Sequence, residues 1–361
     1  MSAMELREPD HVDEAVSGPA KAVRRFGRTP GFAQRVGLLL VITILVLFFG
    51  SARSAFYSQQ LSVFPLLRDI ATLTVVGLAQ LAVLSIGHMN LAVGRMAAFS
   101  AMFMGLAYQD WHLPLYAGLL VGLLAGAAIG ALTGWIITVT GVNSFVVTLA
   151  MDFVLLGLVS LVYSQFTTAA AFTAKPAGMD QLRNLSLGDL CAGQVCGSPA
   201  VPQLMLFALA AMGTVGYLYS RTRVGRELLL VGSNVTAAQL SGIPTSRRIV
   251  TAHAMSGALA ALAGFMLAVT AGSFTADIGG DFMIPSFLGP VLGGTLLAGG
   301  AVSVVGTLLG TSLVQVIRQG LTMMGIGLES LNIYLGVILL VALSTDRVRD
   351  AISTRRTVAS S

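Results

Sequence analysis

Charge is what this sequence has least of. Asp, Glu, Lys and Arg make up 10% of its 361 residues, against about 25% in a soluble domain. So few charges cannot cover a water-facing surface, which excludes an ordinary soluble enzyme, a disordered chain and a nucleic-acid binder. Lysine is scarcer still: only Lys21 and Lys175 occur, each preceded by Ala. The phosphate-binding loop GxxxxGK[ST] needs Gly directly before its Lys. The chain therefore carries no ATP site of that kind, and any ATP energy must come from another chain. Cysteine is limited to Cys191 and Cys196, and the four histidines (His11, His88, His112, His253) are scattered. With no CxxC, HExxH or Cys/His cluster, neither a metal site nor a cofactor is expected.

What replaces charge is apolar length. Hydrophobic residues reach 55% and mean hydropathy is +0.83. After a polar tail, 1–35, apolar runs lie near 36–50, 66–86, 96–110, 115–139, 145–164, 201–219, 248–271, 286–298, 301–320 and 331–343. A helix crosses a bilayer with about 20 apolar residues. The expectation is an all-α polytopic membrane protein of about ten transmembrane helices. Its membrane domain covers 36–343 and a second tail covers 344–361. The pieces near 96–110 and 286–298 are short, as half-helices of a broken pair would be. The leader before the first run is too long for a signal peptide.

Orientation follows from basic residues, which collect on cytoplasmic loops. With the N-terminus inside, segments 1–35, 87–95, 220–248 and 344–361 hold 16 of the 21 Lys and Arg. That split predicts both termini in the cytoplasm, and it accounts for the net charge of +5 without a polyanionic partner. The longest outside segment, 165–200, contains both cysteines; a disulfide-closed loop and two free thiols both fit it.

Gly118, Gly122, Gly126, Gly130 and Gly134 recur every four residues in one run. On a helix they form a face without side chains, against which another backbone packs closely. Gly257 with Ala261, and Gly306 with Gly310, repeat this on a smaller scale. Glycine also interrupts two runs, at Ser85–Gly94 and across Gly289-Pro290, Gly293-Gly294 and Gly299-Gly300. Broken segments at comparable places in two halves fit a transport pathway, because backbone away from helix geometry must face protein or water. Plain cytoplasmic turns are the alternative. Ionisable groups inside a membrane cost about 2.5–3.5 kcal/mol each and usually mark function. Asp152 is the only carboxylate well inside a proposed span, either mechanistic or tolerated by its apolar surroundings. No proton relay and no acid–base pair is visible.

The inside segment 220–248 ends in Asn234-Val235-Thr236-Ala237-Ala238-Gln239-Leu240-Ser241-Gly242-Ile243-Pro244. Asn234 suits a helix N-cap, and Gly242 suits a C-cap ahead of Pro244. A short capped helix with an apolar spot at Leu240 and Ile243 can seat in a groove on a soluble partner.

These residues resemble the permease subunits of bacterial ABC importers for monosaccharides, the ribose/xylose/galactose type. That family carries N-P-E-A-A-R-L-S-G-I where this chain has Asn234–Ile243. It carries G-G-I-D-L-S-V-G against Gly87–Gly94 here, P-F-I-V-T-L-G against Ser144–Ala150, and V-I-G-G-T-S-L-S-G-G…G-T-L-L-G against Val291–Gly300 and Gly306–Gly310. The order is kept over about 70–343. Departures are His88, Asn90 and Thr236, with Met283 and Pro285 in place of acidic residues.

The resemblance implies a type II ABC importer-like fold in a bacterial plasma membrane. Its partners would be an ATPase pair, a periplasmic or lipid-anchored binding protein, and a second permease copy or sister permease. It places His88, Asn90, Asn143 and Phe145 on the substrate pathway. Asn234, Ala238, Gln239, Leu240, Ser241 and Gly242 would couple to the ATPase. The cargo would be a sugar or sugar-like polyol; another small polar solute, such as a nucleoside or branched-chain amino acid, and an ion-coupled secondary carrier are the alternatives.

Overall fold

In a computed structural model, residues 31–167, 171–186 and 201–327 are described, with isolated positions at 333, 336 and 337. Cys191, Cys196, residues 1–30 of the first tail, the whole second tail and nearly all of the 331–343 run lie outside the described residues; residues 31–35, expected in the tail, begin α1. The described part is helical: α1 (Gly31–Ala52), α2 (Phe64–Leu84), α3 (Val93–Gln109), α4 (Leu115–Thr140), α5 (Ser144–Phe166), α6 (Met179–Asn184), α7 (Leu204–Arg221), α8 (Arg223–Ser233), α9 (Val235–Leu240), α10 (Thr245–Ala271), α11 (Met283–Leu292) and α12 (Val304–Met323). Among the described residues, seven helical stretches are long and apolar enough to cross a membrane: Gln34–Ala52, Gln59–Leu84, α4, α5, α7, α10 and α12. α3 and α11 are too short, with 17 and 10 residues. The only strands among the described residues, β1 (Ala171–Phe172) and β2 (Phe274–Thr275), pair antiparallel.

α2 is the central post. Every residue from Ile70 to Leu84 is buried, surrounded by α7, α10, α11 and α12. In lipid, burying apolar surface gives no driving force between helices, so close approach and hydrogen bonds must hold them together. The glycine stripe of α4 supplies close approach. A side chain at Gly118 or Gly122 would strike Tyr108 or Met104 of α3, and one at Gly126 or Gly130 would strike the Gly257 or His253 carbonyl of α10. Gly134 faces Val250 and His253. One stripe thus clamps two helices. The same device joins α11 to α12 at Gly289 with Gly310 and at Gly293 with Gly306. Hydrogen bonds add to it, as between the hydroxyls of Thr74 and Thr311 (2.9 Å).

α1 and α5 are peripheral. α5 leaves Phe145, Val146, Phe153, Val154 and Leu161 exposed.

Candidate functional site

The two sequence breaks meet in space. α2 stops at Leu84, and Ser85–Ala92 cross to α3 without helix. Gly300, in the α11–α12 connection, donates its N–H to the Ser85 carbonyl at 3.0 Å. At Gly87, with φ +74°, a side chain would meet the Ala298 carbonyl; Gly299, with φ +90°, faces the Gly87 nitrogen. The end of α8 closes the knot: a side chain at Gly232 would strike the Ser85 carbonyl and the Gly300 nitrogen. Tyr219, near the end of α7, donates to the Ser85 hydroxyl at 3.0 Å. The second break is placed differently from the sequence expectation, since α11 runs through Gly289 and Pro290 and ends at Leu292. Pro290 lies inside α11 with its ring close to Gly77 of α2.

α9 follows α8 directly. Asn234 caps it by accepting from the Ala237 N–H at 2.9 Å, and Gly242 turns the chain out with φ +76°. Ala238 is buried, whereas Leu240 is 86% exposed. Gln239 donates to the Thr245 hydroxyl at 3.2 Å, tying α9 to the start of α10, and the Ser241 hydroxyl donates back to the Ala237 carbonyl at 2.8 Å. Ile243, expected to share the apolar spot, packs instead against the core. Residues 223–233, read from sequence as loop, form the amphipathic α8, because Thr222 caps it by accepting from the Gly225 N–H (3.1 Å). Glu227 pins α8 by accepting from Arg223 (2.8 Å) and from Arg248 of α10 (2.6 Å). Burial alone would raise the Glu227 carboxyl, but the hydrogen bonds and charges of the two arginines hold it below the ordinary carboxylate range.

A cavity of about 400 Å³ opens beside α9, lined by Gly87, His88, Asn143, Ser144, Val235 and Gln239 among others. It joins His88 and Asn143, from the expected pathway, to Val235 and Gln239 of the expected coupling helix. The His88 ring lies 3.4 Å from that of the buried His253. Asn143 caps α5 by accepting from the Phe145 N–H at 2.9 Å, and Phe145 is 47% exposed.

Asn90, also expected on the path, sits where the break meets α10. It is fully buried, donates to Ser256 at 3.0 Å and accepts from the Ala92 N–H at 3.0 Å. Its amide is spent on holding the break to α10. Sequence reasoning also missed Arg95. Counted above among the loop residues 87–95, it sits in the first turn of α3 and pairs with Asp277 at 3.4 Å. The signal was present: a lone Arg just after a glycine-rich break, at the edge of an apolar run.

Residues 62–343 match the family described as the branched-chain amino acid transport system permease component. The chain belongs to this family. Such a permease is a membrane subunit without enzymatic activity, and the ATPase is a separate chain. The permease is 35% identical to the Escherichia coli K12 protein named Probable ABC transporter permease protein YphD, over 85% of this chain and 87% of that one. It is 29% identical to the Autoinducer 2 import system permease protein LsrD of Salmonella typhimurium LT2, over 76% of this chain and 79% of that one. It is 28% identical to the LsrD protein of Yersinia pseudotuberculosis, over 82% and 86%. No solved structure matches at a significant level. The family implies an ATPase and a substrate-binding protein as partners in general, and the apolar helices make the chain a multi-pass membrane protein.

Proposed function

We propose that this permease forms the membrane path of an ABC importer for a sugar or sugar-like polyol in a bacterial plasma membrane. α9 is the surface that the ATPase pair pushes on. The carrying observation is the capped α9, whose Leu240 side chain stands 86% exposed on a helix that continues from the knot of the two breaks. A push on α9 reaches α8 and then, through Gly232, both breaks together.

With α9 in the cytoplasm, both termini are cytoplasmic as well. Arg95 lies within a helix, so it leaves the loop count, and 15 of 21 basic residues remain inside. The β1–β2 pair then lies on the outer face, where a periplasmic or lipid-anchored binding protein delivers solute. A second copy or a sister permease covers the exposed face of α5, Phe145 included. His88 and Asn143 line the inner mouth, where weak hydrogen bonding to hydroxyls lets solute leave; a deep well would trap it.

The resemblance of four ordered segments to the monosaccharide type supports the cargo class. A second reading, import of a branched-chain amino acid, is favoured by the family's own description. Uptake by liposomes holding the complete importer separates the two. Accumulation of ribose, xylose or galactose supports the first reading, and accumulation of leucine alone supports the second.

A further inference from the structure

We propose that Arg95 and Asp277 form a station midway across the membrane that takes hydroxyl groups of the passing solute. The inference rests on the sugar-importer reading and deepens it.

Depth is fixed by α10, which spans 27 residues from Thr245 to Ala271. Asn90 bonds Ser256, near the middle of α10, and Ala97 lies against Gly264, about two turns further toward its far end. Arg95 lies between these levels. Asp277 reaches the same level because the chain after α10 turns back inward. Gly279, with φ +75°, lies backbone to backbone on Gly94. Residues 276–282, turns followed by a short 3-10 helix at Gly280–Phe282, therefore fold back inward from β2, and such backbone at membrane depth is tolerated only against protein or a water-filled path.

The station is incomplete within the protomer. Arg95 offers five N–H donors, yet its only ion pair among the described residues is the 3.4 Å contact to Asp277, long for a charge-assisted bond of about 2.7–2.9 Å. Its Nε is buried and without a partner. Asp277 is 91% exposed in its side chain while Arg95 is 17% exposed, so the pair is open on the Asp277 side. Charges kept at this depth without full pairing mark function. A guanidinium only donates and a carboxylate only accepts, whereas a hydroxyl does both. Neighbouring hydroxyls can therefore bridge Arg95 to the Asp277 carboxylate, and a neutral solute leaves the charges balanced as before. A zwitterionic amino acid also meets such a pair, so it is the contrast substrate.

The test uses liposomes carrying permease, ATPase and binding protein, given labelled ribose, 2-deoxyribose, xylose, galactose or leucine. Arg95→Gln should purify as an intact complex and hydrolyse ATP, with sugar uptake reduced about tenfold. The preference for ribose over 2-deoxyribose at saturating binding protein should narrow in the same variant, which a merely structural role would not cause. Asp277→Asn, at an exposed position, should act in the same direction and keeps the test decisive if Arg95→Gln fails to assemble. Sugar uptake by the unaltered importer with normal rate or unchanged preference in both variants would overturn the station alone. Uptake of leucine and of no sugar would remove the sugar reading and the station with it.

Discussion

The Gly300 N–H and the Ser85 carbonyl meet at 3.0 Å, and that bond joins the break after α2 to the connection before α12. Gly232 of α8 fits against both atoms because it has no side chain. Gly232→Val should therefore lower stability by about 1–3 kcal/mol, the usual cost of overpacking. It should also separate ATP hydrolysis from uptake. A thermal melt in detergent and a count of ATP hydrolysed per solute check the two effects independently.

Leu240 contributes nothing to the protomer's own packing. Leu240→Asp is expected to change the melting midpoint by no more than about 0.5 kcal/mol in equivalent stability. The same change should sharply reduce co-purification of the ATPase, since an exposed apolar anchor of this kind carries binding energy only at an interface. Retention of the ATPase at normal stoichiometry would remove α9 as the docking surface.

Gly242 tests the exit from α9. Its φ of +76° lies in the left-handed region, and a side chain there meets nothing within 4 Å. Gly242→Val thus acts on backbone alone, at a cost of about 1–2 kcal/mol. Membrane insertion should persist, while ATPase association weakens or hydrolysis uncouples from transport.

Glu227 gives the coupling segment a pH dependence. Its carboxyl is held below the ordinary range by Arg223 and Arg248. The stabilisation is therefore complete above the unfolded value of about 4.3 and fades as pH falls through the lower folded value. The melting midpoint should drop on acidification below about pH 4, and Glu227→Gln should flatten that drop while lowering the midpoint at neutral pH. Parallel melts of the two proteins across pH decide it.

Asn90 holds structure. From sequence alone, Asn90→Leu would lower transport with assembly unchanged. The buried amide instead satisfies Ser256 and the Ala92 N–H. The substitution should cost about 1–3 kcal/mol for each buried group left unpaired, seen as a lower melting midpoint before any selective loss of uptake.

Local features were legible in the sequence. The Asn234 cap, the Gly242 turn and Pro244 act within a few residues, and α9 forms between them. The glycine stripe of α4 was legible as a packing face, because its four-residue period needs only helix geometry. Its partners were not legible, since one face serves α3 and α10 in turn. The knot at Ser85, Gly232 and Gly300 joins three distant segments through backbone atoms, which carry no residue-type signal. Arg95 was hidden for a different reason. A break in an apolar run looks the same whether it lies at the membrane surface or midway across, and only the contacts of Ala97 with Gly264 and of Asn90 with Ser256 fix its depth.

The central claim is that this permease is a passive path moved by a motor on another chain. Solute uptake into liposomes, measured with and without the ATPase subunit, tests it most directly. The account predicts ATP-dependent accumulation by the complete importer and none by the permease alone. Uphill accumulation by the permease alone, driven by an ion gradient, would contradict it.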